Sequence, residues 1–414
     1  MPVNLNLPQA YPVEGLKLAT LSAGIKNDGS ADLVVMSVAE HSSCAAVFTK
    51  NAFCAAPVTL CREQMLSSEG CVRALLINSG NANAGTGEPG MRMTRQHCEA
   101  VSEALSIPQN SVLPFSTGVI GQLLPHEIML AGIEKASEQL KSSEVESLEA
   151  WQEAASGIMT TDTVPKLSSQ KVTVAGQSVT ITGMAKGSGM IQPDMATMLS
   201  YVFTDANVDY DDLQHALTQA VDVSFNVITV DSDTSTNDAC VLIATGASIA
   251  EKQKLNRDHA DWPVFMAALI RLCVDLAQAI VRDGEGASKF ISVHVRQGES
   301  AAECKQVAYA IANSPLVKTA MFASDANVGR LLMAIGKAGV PELDASKVSV
   351  SLGDERVFED GGIASGYVEA KGAAIMARDE IDVVVNLARG TAESTVYTSD
   401  LSHDYVSINA DYRS

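Results

Sequence analysis

Residues 186–197, KGSGMIQPDMAT, constrain this chain more than any other stretch. They combine a Lys, Gly and Pro with a small Ala placed directly before a Thr, and the apolar run MLSYVF follows at once. Gly and Pro admit tight or strained backbone at the mouth of a core strand. Ala196 leaves its own carbonyl unobstructed. Thr197 is β-branched, so few side-chain rotamers are open to it and the backbone fixes its hydroxyl direction. One reading is an ordinary Gly-rich connection, with Thr197 a plain strand residue. The other is self-cleavage. Here the Thr197 hydroxyl attacks the Ala196 carbonyl, an ester forms, and water releases it. The new N-terminal amine, with a pKa of about 7.7–8.0, then serves as base for its own hydroxyl.

Composition narrows the classes that remain. Hydrophobic residues make up 46% and charged residues 19% of the 414, a profile of a compact protein with a sizeable core. The net charge of −20 disfavours nucleic acid and anionic membrane surfaces as partners. The eight Cys form no CxxC pair and no Cys/His cluster, so they read as scattered core thiols of a reducing compartment and no metal is expected. The N-terminus has no cationic patch followed by an apolar core. The apolar stretch 264–281 contains Arg271 and Asp275 and reads as a buried or amphipathic helix, not a membrane span. A cytoplasmic enzyme is the expectation.

Strands and helices alternate along the chain. Strands are expected at 33–38, 45–49, 72–78, 198–203, 226–230, 241–245, 291–295, 348–352, 381–386 and 406–409. Helices are expected at 91–105, 126–140, 211–221 and 262–282. VTVAGQSVTIT at 172–182 reads as a hairpin turning at 175–177. Residues 142–149 read as a polar helix start rather than a linker. The layout is mixed α/β; strand order is not legible.

Several segments together resemble one family. They include AGIK at 23–26, VFTKNAFCAAPV at 47–58, INSGNANAGTG at 77–87 and STG at 116–118. They continue with MTTDTVPK at 159–166, KGSGMIQPDMATML at 186–199, DTSTND at 233–238, RDGEGASK at 282–289, SDANVGR at 324–330 and the terminal YVSINADYRS. Their order and content are similar to the ornithine acetyltransferases, or glutamate N-acetyltransferases, of arginine biosynthesis. The resemblance spans nearly the whole chain. It implies a mixed α/β fold of layered sheets flanked by helices, the self-processing N-terminal-Thr acyltransferase fold. Residues 1–196 and 197–414 would then be the α and β chains after cleavage, intertwined in one folded unit.

The resemblance also assigns roles. Thr197 is the nucleophile, and Ala196 with Thr197 forms the cleavage site. Thr117 and Gly118 form the oxyanion hole that a tetrahedral intermediate needs. Thr160, Lys186, Thr197, Glu285, Asn409 and Ser414 contact substrate. By residue type alone, STG also reads as a turn, Thr160 as part of a cap, Lys186 as a solvated cation and Glu285 as a loop carboxylate. The implied reaction moves acetyl from N2-acetylornithine to glutamate through an acetyl-Thr ester. It needs no cofactor, and acetyl-CoA stays open as a further donor. The implied assembly is a heterotetramer of two α and two β chains. Two other classes stay open: an N-terminal-nucleophile hydrolase or aminopeptidase, and a non-catalytic amino-acid-binding regulator. The run 231–238, DSDTSTND, lacks the Gly and Glu of a Ca²⁺ loop. INSGNANAGTG lacks the Lys of a phosphate loop. Three positions depart from the family pattern: Val328 replaces a usual Trp, Ser414 a frequent Thr, and Gln192 fills a variable place.

Overall fold

The structure is a computed structural model that describes residues 2–5, 10–142, 147–192, 198–248 and 254–410. Its core begins with strands that are apolar on both faces. Successive strand residues point to opposite sides. In Leu33–Val38, Leu33 and Val35 join one apolar cluster while Val34 and Met36 join another. Ala74 and Leu76 alternate with Leu75 and Ile77 in the same way. A sheet covered on both sides needs unbroken apolar runs, and these strands have them.

Among the described residues, a four-stranded sheet runs Leu16–Leu21, Leu33–Val38, Ala74–Asn81, Val112–Val119. A five-stranded sheet runs Ser43–Phe48, Ala239–Ala244, Leu199–Thr204, Gln177–Lys186, Lys166–Val174. The two face each other through Leu75, Ile77 and Phe115 on one side and Tyr201, Phe203 and Val241 on the other. Phe115 meets Tyr201 edge-on at 5.1 Å between ring centroids, a favoured aromatic geometry. Helices Gly87–Leu105 and His126–Ser142 cover the outer face of the first sheet. Helices Tyr210–Asp222 and Trp262–Arg282 cover the outer face of the second. The result is a helix–sheet–sheet–helix sandwich, the layered α/β class expected from sequence. A third, seven-stranded sheet carries its own apolar cluster in the C-terminal part.

The five-stranded sheet takes strands from both sides of the 196/197 bond. Leu199–Thr204 pairs antiparallel with Gln177–Lys186, and Ala239–Ala244 lies between it and Ser43–Phe48. The parallel pair of Leu199–Thr204 and Ala239–Ala244 needs a crossover, which helix Tyr210–Asp222 supplies.

The helix Trp262–Arg282 is long and apolar enough to cross a membrane, yet its Leu269, Leu272 and Leu276 pack in the core. The hairpin joins Lys166–Val174 to Gln177–Lys186 through Ala175 and Gly176, with φ of +51° and +77°, values suited to a tight two-residue turn. Of the segment 142–149, residues 143–146 lie outside the described residues. The helix Leu148–Gly157 does start there, capped by the Ser147 hydroxyl accepting from the Ala150 N–H.

Three expectations need correction. Residues 406–409 are not a strand but part of helix His403–Ala410. The β-branched alternation of Val406 and Ile408 misleads because both are exposed, Val406 by 65%. At 226–230 only Ile228–Thr229 is strand, after a single 3₁₀ turn at Phe225–Val227. The thiols are not all in the core either: Cys71 is exposed and Cys54 half-buried. Val328, at the family's Trp position, is buried. Beside it Asn327 caps its helix and Arg330 donates to the Leu316 carbonyl at 2.6 Å, so that corner is packed.

Candidate active site

The two sheets open toward one end, where their strands present polar residues to a cleft of about 270 Å³. Thr117, Gly118, Thr160, Lys186, Glu285 and Asn409, all expected from sequence, line this cleft together. Met198 lines it too. Ala196, Thr197 and Ser414 lie outside the described residues, as does the 196/197 bond.

Thr117 and Gly118 end the strand Val112–Val119, beside a register irregularity at Gly80 and Asn81. Gly118 has φ of +131°, and a Cβ there would stand 2.2 Å from the Gly80 carbonyl carbon. Only Gly fits that backbone approach. Asn237 fixes the same region by donating to the Ala82 and Ser116 carbonyls at 2.6 and 2.9 Å.

Lys186 ends its strand in register with Leu199 and is nearly buried. Its Nζ donates to the Thr117 hydroxyl at 3.1 Å. Burial pushes its pKa down; Lys166 adds to the fall, while Asp162, Asp238 and Glu285 oppose it. Its neighbour Asp162 is buried as well, and it accepts from Lys166 at 2.6 Å, from the Gly187 N–H at 2.7 Å and from the Thr160 N–H at 3.1 Å. Burial pushes the Asp162 carboxyl up, but Lys166 and Lys186 outweigh it and hold it below the usual carboxylate range. Lys166 also reaches Asp283 at 2.6 Å, and all three side chains are fully buried. A charged cluster can be buried because its members pair.

The Gly-rich loop is pinned up to residue 192. The Ser188 hydroxyl donates to the Asp283 carbonyl at 2.5 Å. The Met190 and Ile191 N–H groups donate to the Asp231 carboxylate at 2.6 and 2.8 Å. Gly189 is required by contact, since a Cβ there would come within 2.4 Å of the Glu285 carboxylate.

Glu285 follows the long helix, and its N–H donates to the Ser188 carbonyl at 2.9 Å. Its Oε2 accepts from Asn409 Nδ2 at 2.7 Å. On the helix of Asn409, His403–Ala410, the Tyr405 hydroxyl reaches Asp231 at 3.3 Å. Tyr405 and Asn409 are four residues apart and so share one helix face. That face, not a strand edge, delivers the C-terminal segment to the cleft.

The cleft therefore has a cationic, donor-rich pole at Lys186 and Thr117 and an anionic pole at Glu285. It suits a small molecule bearing both a carboxylate and an ammonium group. Among the described residues, no group of three His, Cys, Asp or Glu could hold a metal ion. Sequence reasoning missed Asp162, Lys166, Asp283, Asp231 and Asp238. For Asp238 the available signal was its place immediately before a wholly apolar strand, DACVLIA at 238–244.

Comparison with known proteins places this geometry in context. The profile described as the ArgJ family matches residues 17–414. The arginine biosynthesis bifunctional protein ArgJ of Psychrobacter arcticus is 51% identical over 412 residues, 99% of each chain. A crystal structure of the bifunctional ArgJ from Bacillus halodurans is 42% identical. That match covers 52% of this chain and all of that one, with a TM-score of 0.49. The ornithine acetyltransferase of Mycobacterium tuberculosis, solved with ornithine, is 36% identical. It covers 45% of this chain and 96% of that one, with a TM-score of 0.39.

Proposed function

Because the chain belongs to the ArgJ family of arginine biosynthesis, the ornithine and glutamate N-acetyltransferases, we propose that it moves acetyl from N2-acetylornithine to glutamate through Thr197. The chain is an acyltransferase; the route and the residues are our reading. The observation that carries them is the convergence of Thr117, Gly118, Thr160, Lys186, Glu285 and Asn409 on one cleft with Met198, the residue bonded to Thr197.

The sequence of events starts with maturation. The Thr197 hydroxyl adds to the Ala196 carbonyl, the amide C–N bond breaks, and the amine of Thr197 is freed. Water then hydrolyses the ester and leaves a carboxylate on Ala196. The five-stranded sheet, built from both sides of this bond, favours products that stay together. Two such cleaved pairs form the proposed assembly.

Transfer follows as double displacement. The neutral amine of Thr197 takes the hydroxyl proton while Oγ attacks the acetyl carbonyl. The Thr117 hydroxyl and Gly118 N–H stabilise the oxyanion, and one such donor is worth about 10²–10³ in rate. The ornithine amine leaves with the proton, and the acetyl group remains as an ester. The glutamate amine attacks that ester, Thr197 Oγ regains a proton, and N-acetylglutamate departs. Lys186 suits the substrate carboxylate, while Glu285 with Asn409 suits the ammonium group; Thr160 and Ser414 complete the proposed contacts. Acetyl-CoA is proposed as a second donor. Release of CoA in the presence of glutamate tests that point.

Thr197→Ala tests the whole reading. Intact-mass analysis should show one uncut chain, and acetyl transfer should be absent. A cleaved, active variant would contradict it.

A further inference from the structure

Asp238 takes no part in the mechanism above, yet it lines the same cleft. It is 3% exposed, and its Oδ2 has no hydrogen-bond partner although it is buried. The backbone around it is fixed. The Asp238 carbonyl accepts from the Thr49 N–H at 2.9 Å, and the next residue, Ala239, donates to the Met198 carbonyl at 2.9 Å. Asp238 is thus held beside Met198 at the mouth of the parallel strand pair.

A buried polar atom without a partner costs free energy. Such an atom, on a residue that lines a cleft, is explained when a ligand completes it. We propose that Asp238 completes with Lys186 the pole that binds the carboxylate of the amino-acid substrates. This rests on the transferase reading of the cleft and adds a residue to it.

The charges around the site agree with a neutral acid. Burial pushes the Asp238 carboxyl well up, and the Ser235 hydrogen bonds and the Lys186 charge oppose this without reversing it. Lys186 is itself faced by Asp162, Lys166, Glu285 and Lys26. It makes no ion pair with Asp238 within 4.0 Å. An ionised Asp238 would compete with a substrate carboxylate for that cation. A protonated one leaves the cation free and adds a donor, a role known for carboxyls in apolar sites.

The test uses the cleaved, active protein and two donors. N-acetylputrescine is N2-acetylornithine without its carboxylate. The wild type should prefer N2-acetylornithine by kcat/KM. In Asp238→Ala that preference should drop about ten-fold or more, with N-acetylputrescine turnover little changed. Asp238→Asn, whose amide still donates, should restore the preference to within about three-fold. Equal losses for both donors in Asp238→Ala, or an Asp238→Asn variant as poor as Asp238→Ala, would overturn the assignment. Should Asp238→Ala fail to fold, Asp238→Asn decides alone: a kept preference supports the assignment and a ten-fold loss overturns it. A wild type that transfers no acetyl group refutes the transferase reading instead. A wild type that transfers acetyl without preferring the carboxylate-bearing donor refutes only the Asp238 assignment.

Discussion

Lys186 Nζ donates to the hydroxyl of Thr117 across 3.1 Å, and this bond joins the two facing sheets at the mouth of the cleft. A hydroxyl that accepts from a cation presents its own hydrogen elsewhere. The arrangement therefore orients Thr117 as a donor while leaving Lys186 two further N–H groups.

Removing that hydroxyl should slow chemistry more than binding. Thr117→Val keeps the shape of the side chain and loses the donor. We expect kcat to fall about 10²–10³-fold with KM for N2-acetylornithine changed little. Steady-state kinetics on the cleaved protein decide this, and a change confined to KM would assign Thr117 to substrate binding instead.

Gly118→Ala should be worse, because it attacks the backbone that holds the donor. The new Cβ would enter the Gly80 carbonyl group at a φ of +131°. Activity should be lost and the thermal midpoint lowered, both readable on one purified sample. An active Gly118→Ala would show that this strand end is free to shift.

Lys166 holds two buried carboxylates, Asp162 and Asp283, each at 2.6 Å. Lys166→Met leaves both without their main counter-ion. The expected cost is about 3–5 kcal/mol, measured as a fall in the denaturant midpoint. Its reach extends to catalysis, since Asp162 also holds the N–H of Gly187 at the start of the Gly-rich loop.

His97 should make the fold acid-sensitive. It is buried, its Nε2 lies 3.1 Å from His126 Nδ1, and burial with that neighbour lowers its pKa to about 4. The unfolded chain binds this proton below about 6.5, whereas the folded chain resists until about 4. Stability from this group is thus complete above the higher value and falls as pH drops through the window, by about 3 kcal/mol in all. His97→Gln should lose correspondingly less between those two pH values in denaturant titrations. Identical profiles would contradict the shift.

Much of the site could be located from the chain because the family resemblance is carried by short segments. The Gly-rich loop, the STG strand end and the Glu285 turn each match within a few positions, whereas by residue type alone they read as a connection, a turn and a loop carboxylate. The layers were implied by the resemblance, and the structure gives their physical reason in strands such as Leu33–Val38 that are apolar on both faces. Helix His403–Ala410 could not, because exposed Val406 and Ile408 mimic strand alternation while its hold on the fold comes from Tyr405 and Asn409. The buried Lys166 cluster was equally hidden. Asp283 lies 117 residues from Lys166, and only the packing of the long helix against the five-stranded sheet joins them. Asp238 reads as one more acidic loop residue until the sandwich closes over it.

The central claim is that residue 197 becomes a chain terminus and carries the acetyl group as an ester. Purified protein incubated with N2-acetylornithine alone, quenched in acid and weighed intact, tests this most directly. The account predicts two chains, with the one beginning at Thr197 heavier by one acetyl group and returning to its original mass on adding glutamate. Active protein that stays a single chain, or an acetyl group found only elsewhere, would contradict it.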